Sequence, residues 1–198
     1  MSSAAISPGS IESQWTLPYK GQVGMFCLIA AESAIFAIFV VAYIYYIGKS
    51  ISGPTPKEVL DLPIFATVCL LSSSLTIHLA ISALRRAKHA TFRLLWLLTL
   101  VLGLTFLTFT GFEWHRLIYQ KGLTISTNLF GTTYYSLVGL HAFHVTVGAL
   151  GLITILLLAF AGKIQPQHVK NVDTFALYWH FVDAVWIVVF TVVYIVGR

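Results

Sequence analysis

The sequence predicts an all-α protein that crosses a membrane several times, and three observations lead to this fold class. Of its 198 residues, 58% are hydrophobic and only 10% are charged, whereas about a quarter of the residues in a typical soluble domain are charged. Long apolar runs recur along the chain, and about 20 such residues span the hydrocarbon core of a bilayer as a helix. The connecting segments are short, so they leave no room for a soluble catalytic domain.

Five apolar runs predict five transmembrane helices in one bundle, a single domain over residues 21–198 that follows a polar N-terminal segment over residues 1–20. Between the first two runs, GPTPKEVLDLP (residues 53–63) carries prolines and charges that end one helix before the next begins. The third run ends in GFEWHR, and AGKIQPQHVKNVD separates the fourth run from the fifth. The predicted spans are about 22–47, 62–84, 94–114, 133–161 and 174–196.

The basic residues predict the orientation of the bundle. The loop after the second helix, RRAKHATFR (residues 85–93), is short and strongly basic, and such loops stay on the cytoplasmic side of a membrane. We therefore predict a cytoplasmic N-terminus and a C-terminus on the outer, periplasmic side. Arg85, Arg86 and Arg93 in this loop are candidates for contact with lipid headgroups. The net charge of +5 is explained by loops of this kind, so we expect no nucleic-acid partner.

A small set of polar side chains lies within the predicted spans, where an unpaired charge is costly. Helical spacing predicts that these side chains face the interior of the bundle or an interface between helices, rather than lipid. We expect them to serve as structural hydrogen-bonding groups. The set comprises Glu32, His78, Glu113, His141, His144, His180 and Asp183.

The fourth helix carries a seam in which two glycines predict close packing. His141, His144, Gly148 and Gly151 follow one face of this helix, and small residues allow a neighbouring membrane helix to approach. We therefore expect both glycines to be helix-packing positions.

On the fifth helix, Trp179, Asp183 and Trp186 share a face, and His180 precedes Asp183 by three residues. Both tryptophans are expected to pack against other helices. His180 and Asp183 are expected to pair with each other or with a neighbouring helix.

Residue chemistry alone leaves three functions open. A transmembrane haem b carrier needs histidine pairs at matched depth on facing helices, but His141 and His144 are only three residues apart. A transporter would favour broken helices and internal repeats, whereas the span interiors lack proline and no repeat is evident. A supporting subunit of a larger membrane enzyme is also compatible with the sequence. The physical chemistry of the residues does not select among these three functions.

Three segments, taken in order, resemble subunit III of the haem–copper respiratory oxidases. They are GMFCLIAAESAIFAIFVVAY (24–43), GLHAFHVTVG (139–148) and YWHFVDAVWIVVFTVVY (178–194). The patterns W-H-F-V-D-x-x-W and G-x-H-x-x-H-V-x-x-G within them are specific. SSSLTIHLAISALRR and FTGFEWHRLI extend the resemblance over the remaining spans.

The resemblance implies a non-catalytic helical subunit III of a proton-pumping cytochrome c oxidase, which reduces O2 to water, in a bacterial plasma membrane. It implies subunit I as the main contact and subunit II in the same complex, with membership of a respiratory supercomplex left open. Haem and copper are expected in the partner subunits and no cofactor in this chain, which is expected to bind phospholipid and to support assembly and proton uptake. Longer members have seven helices, and this chain resembles their last five. The equivalent subunit of a quinol oxidase or a nitric oxide reductase is the alternative.

The resemblance also carries over to single positions. Glu32 matches a membrane-embedded glutamate of the family. It lies ~15 Å into the first helix, so we expect it to be largely neutral at pH 7 and hydrogen-bonded to His144 or His78. The other matches are the histidine pair His141 and His144, the signature residues His180 and Asp183, and the polar positions His78 and Glu113. No catalytic residue, cofactor ligand or metal ligand is expected.

Overall fold

A computed structural model describes residues 20–198, and its helices account for most of them. Five helices are long and apolar enough to cross a membrane, which confirms the predicted fold class. Only Lys20 of the predicted polar N-terminal segment falls among the described residues, where it begins the first helix. The helices are α1 (Lys20–Tyr46), the short α2 (Pro56–Val59), α3 (Ile64–Arg85), α4 (His89–Tyr119), α5 (Leu129–Phe160) and α6 (Val169–Phe190), which continues as a π-helix over Thr191–Val196.

The membrane helices begin and end near the predicted bounds, and the largest differences are five residues, at both ends of α4 (89–119 against 94–114) and at the start of α6 (169 against 174). We predicted the span of α4 over about 94–114, but α4 continues through the charged end of the run to Tyr119. It does so because the polar side chains there have partners: Glu113 accepts a hydrogen bond from Tyr194, and Arg116 pairs with Asp61. The short α2 and the terminal π-helix are absent from the sequence-based assignment.

α6 has a central place in the bundle, since it packs against α1, α3 and α5. Trp179 of α6 is fully buried and also reaches α4. A Cβ atom at Gly103 of α4 would lie 2.8 Å from its ring, and one at Gly148 of α5 would lie 2.7 Å from it. The indole Nε1 donates to Ser73 Oγ of α3 at 2.8 Å. One side chain therefore joins four helices, and the two glycines provide the space for it.

α1 lies at the edge of the bundle, where it packs against α5 and α6. Phe36 and Tyr43 are its only buried residues. The loop after α1 is fixed to the start of α5, because Asn128 Nδ2 donates to Ser52 O at 3.1 Å and Phe130 N donates to Ser50 Oγ at 3.1 Å. The side of α1 that faces away from α5 and α6 is open to lipid or to another subunit.

Polar contacts between helices as the candidate functional site

Glu32 and His144 form a polar contact between α1 and α5. Glu32 Oε2 lies 3.1 Å from His144 Nε2, and the two side chains are 24% and 7% exposed. The ring of Phe36 packs on the imidazole, with 4.9 Å between the ring centroids. The structure therefore confirms the predicted hydrogen bond of Glu32 and selects His144, rather than His78, as the partner.

The other ring nitrogen of His144 defines where a proton is held. His144 Nδ1 lies 2.8 Å from the carbonyl oxygen of Leu140, and a carbonyl only accepts, so Nδ1 carries hydrogen. In a neutral His144, Nε2 is then an acceptor that can receive a proton shared by Glu32. Moving that proton to Nε2 would give an ion pair with the same heavy-atom contacts. The contact is therefore compatible with either position of the proton.

Ser74 of α3 provides the partner for both His180 and Asp183 of α6. Its hydroxyl donates to Asp183 Oδ2 and lies 3.0 Å from His180 Nδ1. A serine hydroxyl has one proton, so His180 Nδ1 donates to Ser74 Oγ. Asp183 is 3% exposed, and its second oxygen has no hydrogen-bond partner among the described residues. The expected pairing with a neighbouring helix is confirmed, but the sequence did not identify Ser74, although it lies one helical turn before His78.

A third polar contact joins the C-terminal end of α4 to the N-terminal end of α5, and the residue between them is Tyr194 of the π-helix. Tyr194 Oη lies 3.2 and 3.1 Å from the two carboxylate oxygens of Glu113 and donates to them. Tyr134 Oη of α5 lies 3.3 Å from Tyr194 Oη. Both tyrosines are buried, at 0% and 2% exposure. Glu113 and the two tyrosines therefore form a hydrogen-bonded group at the end of the bundle that is predicted to face outside.

His141 is fully buried but makes no hydrogen bond. Its exposure is 0%, and neither ring nitrogen has a hydrogen-bond partner among residues 20–198. The imidazole stacks on Trp186 at 4.9 Å between centroids and meets the edge of the Phe106 ring. In this structure its contacts are aromatic. Trp186 is also held by its indole Nε1, which donates to Thr67 Oγ1 at 3.1 Å.

The expectation that every polar group within the spans faces the interior is wrong for His78. This residue is exposed, whereas Ser73, Ile77 and Ala80 are buried. α3 contacts α4 and α6 through that buried side. His78 follows Ser74 by one turn and interacts electrostatically with His180 of α6, so it lies at the exposed edge of the contact between α3 and α6.

The candidate lipid-binding arginines lie together at the end of the bundle that is predicted to be cytoplasmic. Arg85 Nη2 contacts Asp173 Oδ2 at 3.2 Å, and the Arg85 side chain is 59% exposed. Arg86 is exposed, and the Arg93 guanidinium lies 5.5 Å from the centroid of the Phe160 ring. Arg86 has no ion pair among the described residues.

The polar groups of the site connect helices and do not converge on a common centre. Within residues 20–198, no group of three or more His, Cys, Asp or Glu side chains is placed to hold a metal ion. Gly148 and Gly151 are packing positions. A side chain at Gly148 would collide with the ring of Trp179, and a side chain at Gly151 would collide with the ring of Phe175. The arrangement can align helices through hydrogen bonds between their side chains.

Comparison with known proteins places these features in a family. The family model of cytochrome c oxidase subunit III matches residues 16–198. The chain is 35% identical over 177 residues to cytochrome c oxidase subunit 3 of Alkalihalophilus pseudofirmus, covering 88% of this chain and 86% of the relative. It is 34% identical over 197 residues to cytochrome c oxidase subunit 3 of Synechocystis sp., covering 96% and 81%. It is 33% identical over 178 residues to cytochrome bo(3) ubiquinol oxidase subunit 3 of Pseudomonas aeruginosa, covering 88% and 84%.

Proposed function

Since this chain belongs to the cytochrome c oxidase subunit III family, we propose that it packs beside subunit I of a bacterial plasma-membrane oxidase and stabilises that complex. The chain is a non-catalytic subunit of a haem–copper oxidase, an oxidoreductase complex. The observation that carries the proposal is the family match over residues 16–198, which includes every membrane helix and every polar contact described above.

The geometry supports a scaffolding role for the buried polar groups. Glu32 joins α1 to α5, Ser74 joins α3 to α6, and Tyr194 joins the end of the chain to α4. A hydrogen bond between membrane helices replaces an unsatisfied polar group in hydrocarbon, and it also sets the register of the two helices. In this proposal the polar residues give the subunit one rigid surface, against which subunit I packs.

Two further parts of the proposal concern the end of the bundle that is predicted to be cytoplasmic. Arg85, Arg86 and Arg93 are proposed to contact phospholipid headgroups, because basic side chains near a membrane surface attract anionic lipid. Through the same end, the subunit is proposed to support proton uptake by subunit I. Because α6 begins at Val169, His180 and Asp183 lie about 17 and 21 Å along the helix from this end, where they place polar groups toward the middle of the membrane.

Deleting the gene in the source bacterium tests the proposal. We expect membranes that retain haem and copper in the remaining subunits and an oxidase that begins O2 reduction but loses activity sooner during turnover. Re-expression of the chain should restore the lifetime. The proposal is contradicted if oxidase content, initial rate and lifetime are all unchanged by the deletion.

A second candidate is the same structural role in a quinol oxidase, and one observation favours it. A relative at 33% identity is named as a ubiquinol oxidase subunit. The electron donor binds other subunits of the complex, so the residues of this chain do not distinguish the two. The purified complex should be offered reduced cytochrome c and ubiquinol separately, and its rate of O2 consumption with each assigns the donor.

A further inference from the structure

A pocket of about 340 Å³ opens at the end of the bundle opposite the basic loop of residues 85–93. Four parts of the chain form it: the end of α1, the segment that runs from there into α2, the first turns of α5 and the last two residues. None of the interhelical polar contacts described above lines it. The residues that matter for its chemistry are Tyr43, Tyr46, Lys57, Phe130, Gly197 and Arg198.

Two basic side chains lie at this pocket. Lys57 and Arg198 line it, and neither forms an ion pair among the described residues. Of the acids nearby, Glu58 accepts a hydrogen bond from Thr55 N at 2.9 Å, and the hydrogen bonds from Thr55 lower the pKa of its carboxyl.

Asp61, the other acid nearby, also has its own partner. Its pKa is lowered chiefly by the hydrogen bond from Arg116, while Arg198 makes a weaker electrostatic contribution. Since Glu58 is held by Thr55 and Asp61 by Arg116 of α4, the two cations remain available to an anion in the pocket.

A buried hydroxyl without a partner lies at the wall of the same pocket. Tyr43 is 2% exposed, and its Oη has no hydrogen-bond partner within residues 20–198. It lies against Gly197, where an added Cβ would be 2.6 Å from it. Leaving a buried hydroxyl without a hydrogen bond is costly. A ligand oxygen that enters the pocket would accept a hydrogen bond from it.

We propose that this pocket binds the phosphate-bearing headgroup of an anionic phospholipid in the outer leaflet. Lys57 and Arg198 face the phosphate, and the aromatic rings of Tyr46 and Phe130 pack against the glycerol and the first acyl carbons. The pocket lies where α1 ends and α5 begins, the level at which headgroups meet membrane helices. Its lining joins cations to apolar and aromatic side chains, which fits a lipid better than free phosphate.

This inference deepens the phospholipid part of the proposed function, but it places the lipid at the opposite end from Arg85, Arg86 and Arg93. It requires only that the chain spans a membrane with this end at the headgroup level. It would therefore stand even if the chain belonged to a different complex.

The test uses the full-length chain, purified through an affinity tag with the subunits that accompany it. The wild type is compared with a double variant, Lys57→Gln with Arg198→Gln. Lys121→Gln is the control, because it removes an exposed positive charge from the same end without lining the pocket. Each preparation is delipidated and titrated with phosphatidylglycerol, phosphatidylcholine or inorganic phosphate, and bound lipid is counted by native mass spectrometry.

We expect the wild type and Lys121→Gln to retain one more phosphatidylglycerol than the double variant. At this site the double variant should bind phosphatidylglycerol about 30-fold more weakly, which corresponds to about 1 kcal/mol for each basic side chain. Phosphatidylcholine should bind less tightly to the wild type than phosphatidylglycerol does. Equal lipid counts in the wild type and the double variant would overturn the proposal, and so would displacement of the lipid by millimolar inorganic phosphate. The haem spectrum of the same samples separately tests the proposed function.

Discussion

Replacing Gly148 by alanine should weaken the packing of the bundle, because the space at this position is taken by an aromatic ring. An added Cβ would lie 2.7 Å from Trp179 Cζ3 and 2.8 Å from Cε3. The ring has little freedom to move, since a Cβ at Gly103 on its other side would lie within 2.8 Å and its Nε1 is hydrogen-bonded to Ser73. The methyl group therefore forces α5 and α6 apart or breaks that hydrogen bond.

The magnitude follows from comparison with a matched glycine. Overpacking a well-packed core typically costs about 1–3 kcal/mol, but alanine also favours a helix over glycine by up to ~1 kcal/mol. Gly111 of α4 is a helical glycine with nothing within 4 Å of the added Cβ, so Gly111→Ala gains the helix preference without a clash. The difference between the two variants removes the helix-preference contribution and should be about 1–3 kcal/mol. For a protein of this size, that difference corresponds to about 2–12 °C in Tm.

The assay is the apparent Tm of the assembled complex in one detergent, read as dissociation of this subunit during gel filtration after heating. Gly148→Ala should dissociate at a lower temperature than Gly111→Ala, and Gly148→Leu at a lower temperature still. Ile155→Leu, on the same helix, should behave like the wild type. If Gly148→Ala and Gly111→Ala dissociate at the same temperature, the inferred position of Trp179 is incorrect.

Three further predictions concern the polar contacts. Ser74→Ala leaves both oxygens of Asp183 without a partner and should destabilise the bundle by about 1–3 kcal/mol. Ser33→Ala is its control, since that exposed hydroxyl bonds only to its own helix; equal Tm values would show that the interhelical hydroxyl is dispensable. Glu32→Gln should remove an infrared C=O band of a protonated carboxyl near pH 7. The variant should still assemble and keep most of its initial turnover. Normal assembly with abolished proton pumping would instead place Glu32 in a proton path. The ion pair of Asp61 should hold the loop of residues 47–63 above about pH 4 and release it as the pH falls through the lowered pKa of this carboxyl. Pepsin should therefore cleave this loop faster in Asp61→Asn than in the wild type at pH 5, with the difference shrinking as the pH falls below about 4, and a difference that does not change with pH would contradict the assignment.

The sequence predicted those features that depend on one helix at a time. Apolar runs locate five membrane helices because hydrocarbon requires about 20 apolar residues for each. The sequence also offered His144 and His78 as candidate partners of Glu32, and the structure selected His144.

Features that depend on how two helices face each other could not be read from the sequence. Ser74 is one of several serines in α3, and only the register between α3 and α6 makes it the partner of Asp183. His78 shares its helix with Ser74 but lies on the outer surface. Gly103 was not identified because nothing in α4 alone indicates that the ring of Trp179 packs against it.

The optical spectrum of the tagged chain tests the central claim most directly. Purified from native membranes in mild detergent, the chain should bring with it subunits that contain haem and copper, visible as a Soret band and as stoichiometric copper by metal analysis. Expressed alone and purified in the same way, it should show no Soret band and no stoichiometric iron or copper. A one-to-one haem on the isolated chain, or a chain that leaves native membranes without haem-containing partners, would contradict its assignment as a non-catalytic oxidase subunit.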